Sequence, residues 1–327
     1  MKNKILITLF SVATIGSNFL TMTTVVKKVG FGIYSDIFFL SSSLILTLGM
    51  IFSWSLTPII VPRLVRSNED KPLVVGVCLF VMGVLLLFSP VLYLVNNLIF
   101  SNLDKSIIII LTSCIFFCFL CDFFWSMIQQ IIKSNNSYLR PAIVSFVVAF
   151  SSWVIILLSP FKEIELIFLS IISQKVFAGI YSIFYVFSQK IKPVFDREYI
   201  LEYISEVKHT LFLSVFSKSG DIIEKKIAVI APVGFLSYFS VFQKIFMASS
   251  TVLVTAFSAP TMYQFSKENV TFSSIKYILL GNAFLFSSFS LSVGIAVYYF
   301  HDILIELLGG GVLFLDQSIY CVTHSFY

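Results

Sequence analysis

The stretch SIIIILTSCIFFCFLCDFFWSMI, residues 106 to 128, contains one charged side chain, Asp122. A helix crossing the hydrocarbon core of a bilayer needs about 20 consecutive apolar residues. A core helix of a soluble protein would carry a polar face, and this stretch has none. It reads as a membrane span, and what surrounds it is similar. Of the 327 residues 58% are hydrophobic and 12% charged, and mean hydropathy is +0.96. About a quarter of a typical soluble domain is charged. The composition therefore excludes a soluble enzyme and predicts an all-α polytopic membrane protein.

Working outward, nine stretches are long and apolar enough to span: Ile5 to Val26, Ile37 to Ile60, Leu73 to Val95, Ser106 to Ile128, Pro141 to Ser159, Ile164 to Ser188, Thr210 to Ile230, Phe235 to Met262 and Tyr277 to Phe300. The first follows Met1-Lys2-Asn3-Lys4 but lacks a small-residue cleavage site, so it is expected to be retained as a helix. The seventh carries Lys218, Asp221, Glu224, Lys225 and Lys226, and hydropathy alone would demote it. Charge asymmetry argues that it crosses. With a cytoplasmic N-terminus, one side receives Lys2, Lys4, Arg63, Arg66, Lys71, Lys133, Arg140, Lys190, Lys192, Arg197, Lys208, Lys267 and Lys276, the other only Lys27, Lys28, Lys105 and Lys162. The positive-inside rule favours that orientation, and removing the seventh crossing would send Lys267 and Lys276 to the wrong side.

Residues 189–209 mix Lys, Arg, Asp and Glu and form the longest polar connection. They read as a cytoplasmic linker between a six-helix lobe, residues 1–188, and a second group of three helices with a tail, residues 210–327. No connection is long enough for a catalytic domain. Val29-Gly30-Phe31 before the second span is echoed by Val233-Gly234-Phe235 before the eighth, as in transporters built from internal repeats.

Ionisable groups within spans are costly and mark paths for substrates or ions. On the eighth span Ser237, Ser240, Lys244, Thr251, Thr255 and Ser258 fall within an arc of about 60° at 100° per residue, a face that suits an aqueous cavity. On the seventh, Ser214, Lys218, Asp221 and Lys225 share a face. They form either a self-paired stripe that packs the helix inside the bundle or part of a substrate path. Span one has an uncharged stripe, Ser11, Thr14, Asn18 and Thr21. Lys175 and Asp122 lack partners on their own helices and are expected to pair with each other or with span seven. Asp122 is also a candidate for ion coupling. Asp36 is placed to cap the second span.

Other chemistry is not indicated. Cys118 and Cys121 form a Cys-x-x-Cys pair, but no second pair or nearby His completes a zinc site. His209, His301 and His324 are scattered, and Gly309-Gly310-Gly311 follows no strand. No cofactor, metal or nucleic-acid partner is expected.

Several segments also carry a family pattern. Gly30-Phe31-Gly32-Ile33-Tyr34-Ser35-Asp36-Ile37-Phe38-Phe39, closing at Val61-Pro62, resembles the opening motif of MviN/MurJ-type lipid II flippases. Ile222-Ile223-Glu224-Lys225-Lys226-Ile227-Ala228, then Gly234-Phe235-Leu236-Ser237 and Gln243-Lys244-Ile245 running to Pro260, is similar to a later motif of that family. Ser137-Tyr138-Leu139-Arg140-Pro141-Ala142 and Leu307-Leu308-Gly309-Gly310-Gly311 add softer matches in the same order.

The resemblance implies two helical lobes around a central cavity, alternating access by rocking of the lobes, and an undecaprenyl-linked glycan whose pyrophosphate meets cavity cations. It places Asp36, Glu224, Lys225 and Lys244 at the substrate, and the charged face of the seventh span adds Lys218 and Asp221. The family's arginine-rich first helix is here Gly16-Ser17-Asn18-Phe19-Leu20, with no base, so a lipid-linked O-antigen or capsule unit fits as well as lipid II. Family members have roughly fourteen spans, so the second lobe is expected to be incomplete, as in a truncated gene product or in one half of a split transporter whose remainder is a separate polypeptide. A membrane glycan polymerase or ligase is the enzyme alternative, but it calls for a large outward loop. A fragment that inserts without transporting is a third.

Overall fold

The computed structural model describes residues 2–230 apart from 67–69, 88, 100–103 and 136; beyond 230 it describes only residues 236, 237, 239, 240, 243, 280, 287, 291 and 295. The described chain is helical: α1 (Lys2–Val29), α2 (Ile33–Arg66), α3 (Lys71–Leu87), α4 (Ser89–Ile99), α5 (Lys105–Ser134), α6 (Leu139–Leu158), α7 (Glu163–Ser188) and α8 (Arg197–Ile230). Five of these, α1, α2, α5, α6 and α7, are long and apolar enough to cross a membrane. They coincide with the first, second, fourth, fifth and sixth expected spans. The eighth and ninth fall almost wholly outside the described residues.

The third expected span covers α3 and α4, which lie on either side of residue 88. One expected element differs in form: much of the expected linker is helical. Only residues 191–196 are irregular, after which Asp196 Oδ1 accepts from the N–H groups of Glu198 (2.8 Å) and Tyr199 (3.3 Å) and starts α8. From there one helix runs through the seventh expected span.

Short connections fold the helices back on one another. After α1, Gly30 takes φ +81°, a left-handed conformation that costs glycine nothing. The principal packings are α1 on α6, α2 on both α5 and α8, and α7 on α5 and α6. The buried apolar side chains form two clusters. One gathers where α1 ends and α2 begins, with Val25, Phe39, Ile45, Leu111, Ile115, Ile156, Leu166 and Ile171. The other lies toward the opposite, more basic end, with Leu56, Leu64, Val75, Phe123, Met127, Ile131, Ala178 and Tyr203. Apolar side chains that point away from both, such as Phe117, Ile180 and Phe184, are exposed as hydrocarbon would accept them.

At the sparsely charged end, Lys28 Nζ donates to the carbonyls of Ile156 (2.8 Å), Leu157 (3.0 Å) and Ser159 (2.8 Å). The last carbonyls of α6 would otherwise lack donors, and a cation there also meets the negative end of the helix dipole. At the basic end, Arg63 binds Glu202 (3.0 Å) and Glu206 (2.8 Å) and lies over the ring of Tyr199, tying the end of α2 to the start of α8. Burial opposes the charge on Arg63, but the neighbouring Tyr199, the hydrogen bond to Glu206 and the two carboxylates outweigh it and hold the guanidinium above its ordinary range.

Candidate functional site

Three consecutive residues of α7 reach three different helices. Ser173 Oγ lies 2.5 Å from Ser152 Oγ of α6, Gln174 Nε2 donates to Asn18 Oδ1 of α1 at 3.0 Å, and Lys175 Nζ meets Asp122 Oδ1 of α5 at 2.5 Å. Residues 100° apart on one helix look toward different neighbours, which is why a single polar triplet serves three contacts. Lys175 is twelve residues from the start of α7 and thirteen from its end, roughly 18–20 Å from either at 1.5 Å per residue. The ion pair therefore sits at mid-depth, near the junction of the two apolar clusters.

The geometry around Asp122 depends on small neighbours. A methyl on Gly49 of α2 would stand 2.7 Å from Asp122 Oδ2, so the absent side chain makes room for the carboxylate. One residue before Asp122, Cys121 packs on Gly179 of α7, where a methyl would lie 3.0 Å from its sulfur. Cys118, a turn earlier, donates to the Ile171 carbonyl at 3.6 Å. Close approach of α5 and α7 thus brackets the charges. An ion pair in a low-dielectric interior is held strongly once formed, and removing one partner alone typically costs about 3–5 kcal/mol.

A second constellation joins residues about 200 apart in sequence. Asp36, in the first turn of α2, accepts through Oδ1 from the backbone N–H and the hydroxyl of Ser237, and the Ser237 hydroxyl also lies 2.9 Å from Ser35 Oγ. Ser35 itself bridges back to the backbone of Gly32. Asp36 thus occupies a helix N-terminus, where negative charge is favoured, and also joins α2 to residue 237. Ser237 and Ser240 are both buried, and Leu236 enters the apolar cluster beside them.

Lys218 is half-buried on α8, one turn after the buried Ser214. Asp221, Glu224 and Lys225 lie on the same helix, but their side chains are outside the described residues, as is Lys244 altogether. On α1, Ser11 is buried, Thr14 bonds the Phe10 carbonyl, and Asn18 takes the contact with Gln174. Among the described residues no group of three His, Cys, Asp or Glu converges as metal ligands.

Of the expected site residues, the structure pairs Asp122 with Lys175 and Asp36 with Ser237. Sequence reasoning passed over Ser173, Gln174 and Gly49. The signal for the first two was their position beside Lys175 in an otherwise apolar helix; Gly49 had none, because only the approach of α5 gives it meaning. No protein-family model matches the chain, and no curated protein matches it.

Proposed function

We propose that the chain is a flippase-like transporter that moves an undecaprenyl-linked oligosaccharide or peptidoglycan precursor across a bacterial inner membrane by alternating access. In this proposal nine helices span, the N-terminus is cytoplasmic, and α1 to α7 form the first lobe. The observation that carries it is the contact of Asp36 with Ser237. Ser237 opens the polar face that the sequence spacing carries on to Lys244 two turns later, and in this proposal that face and Asp36 share one wall.

Lys244 and Lys225 attract the pyrophosphate, while Asp36, Glu224, Lys218 and Asp221 set the charge of the cavity. Asp122 couples the cycle through its bond to Lys175. Deep charged groups of this kind mark a pathway more often than they add stability. Short connections among the described helices, each only a few residues, support transport over the enzyme alternative, which needs an extended loop outside the bilayer.

The test is complementation of a strain lacking its own flippase, scored by surface glycan, with membrane insertion of the chain verified. Restoration by the chain and its loss in Lys244→Ala are the expected results. Failure of the inserted wild-type chain with every lipid-linked glycan tried would overturn the proposal.

A further inference from the structure

Lys175 and Asp122 each keep about a fifth of their side-chain surface exposed, 22% and 21%. A charged pair that its neighbours do not close off at this depth borders water rather than hydrocarbon, and a polar solute can enter there. Around the pair, α2 presents Gly49 and keeps its charged side chains, Asp36, Arg63 and Arg66, at its ends. On α5 the titratable neighbours are Cys118 and Cys121, while Lys105 and Lys133 lie at the helix ends; on α7 the acids Glu163 and Glu165 lie in the first turn. Among the described residues the anion that meets Lys175 is Asp122, and the two side chains balance each other's charge.

We propose that this pair is an exchange site for phosphate, a deeper reading of the transport function and dependent on it. A phosphate group of the transported lipid takes the Lys175 ammonium from Asp122, and Asp122 binds a proton as it is released. For an engaged phosphate group bearing one negative charge the site stays neutral: an ammonium paired with a carboxylate becomes an ammonium paired with phosphate beside a neutral carboxylic acid. When the phosphate leaves, the acid returns its proton to water and the original pair re-forms. No covalent bond changes except that O–H bond.

Three features support the exchange. A carboxylate left ionised beside a phosphate would be repelled, and neutralisation by a proton removes that cost. Lysine suits the task because its point charge rides on a flexible stem and changes partners without the fixed fork geometry of arginine. Without a side chain at Gly49, Oδ2 of Asp122 rests against α2, apart from the Oδ1 that Lys175 engages.

The experiment adds undecaprenyl pyrophosphate to the purified full chain in weakly buffered detergent and follows binding together with a pH indicator. Undecaprenol, which lacks phosphate, and inorganic pyrophosphate, which lacks the tail, are the comparison probes. Expected are uptake of about one proton per bound pyrophosphate lipid, binding without uptake in Asp122→Asn, and at least tenfold weaker binding in Lys175→Gln. Uptake driven by inorganic pyrophosphate as well would show that the site reads phosphate alone. The exchanged pair Asp122→Lys with Lys175→Asp keeps both charges and reports on folding. Proton uptake that persists in Asp122→Asn, or wild-type affinity in Lys175→Gln, would overturn the exchange and leave transport standing. No binding by the wild-type chain would overturn both.

Discussion

Val194 lays its carbonyl oxygen directly on Gly76 of α3, so close that a Cβ at position 76 would stand 2.0 Å from it. The Val194 N–H also donates to the Pro72 carbonyl at 3.0 Å, so the irregular segment before α8 is strapped to the first turns of α3. The clashing atom is backbone, which cannot swing aside as a flexible side chain would. Gly76→Ala is expected to lower stability in detergent by about 1–3 kcal/mol and to expose residues 191–196 to protease. Unchanged melting and cleavage would show that the strap does not hold.

Lys28 closes the C-terminal end of α6 through three carbonyls. Lys28→Met is expected to cost roughly 1–2 kcal/mol, because bonds to a charged donor are lost and the carbonyls are left to water. Lys28→Arg should recover part of the loss. Denaturant unfolding of the two variants beside the wild type measures the difference.

Arg63 contacts Glu202, Glu206 and Tyr199 at a partly solvated helix end. Its two ion pairs should each couple by no more than about 1 kcal/mol in double-mutant cycles and weaken as salt is raised. Arg63→Lys keeps the charge but loses the stacking on Tyr199, so it is expected to be less stable than the wild type at every salt concentration. A salt-insensitive coupling would point instead to a pair closed off from water.

For Asp36, charge and hydrogen bonding can be separated. Asp36→Asn retains an oxygen that accepts from Ser237 but gives up the favourable interaction with the start of α2, worth about 0.3–1 kcal/mol. The variant is expected to insert and remain folded while glycan export falls at least tenfold. Asp36→Ala should lose both stability and export. Full export by Asp36→Asn would reduce the residue to a structural acceptor.

The long apolar helices were legible because continuous hydrophobicity over twenty residues has few other uses, and α1, α2, α5, α6 and α7 follow it closely. The helical start of α8 was less so, because Arg197, Glu198, Glu202 and Glu206 have the composition of a linker. The available signal was Asp196, an N-cap residue immediately before them. The pairing of Asp122 with Lys175 could be listed among possible partners but not chosen. Helical phase fixes directions on one helix, and which neighbour stands in that direction is decided by packing, here by Gly49 and Gly179 admitting α5 at close range.

The bonds of Ser173, Gln174 and Lys175 to three separate helices set the azimuth of α7 as a three-toothed key sets a lock. Deleting a single residue in its first half would turn the key by about 100° against everything before it and disengage all three teeth together. Exposed positions such as Ile180, Ile183 and Phe184 bear no such burden. Related chains should therefore vary freely in apolar identity along that outer stripe, while insertions and deletions are confined to the connections on either side of the helix.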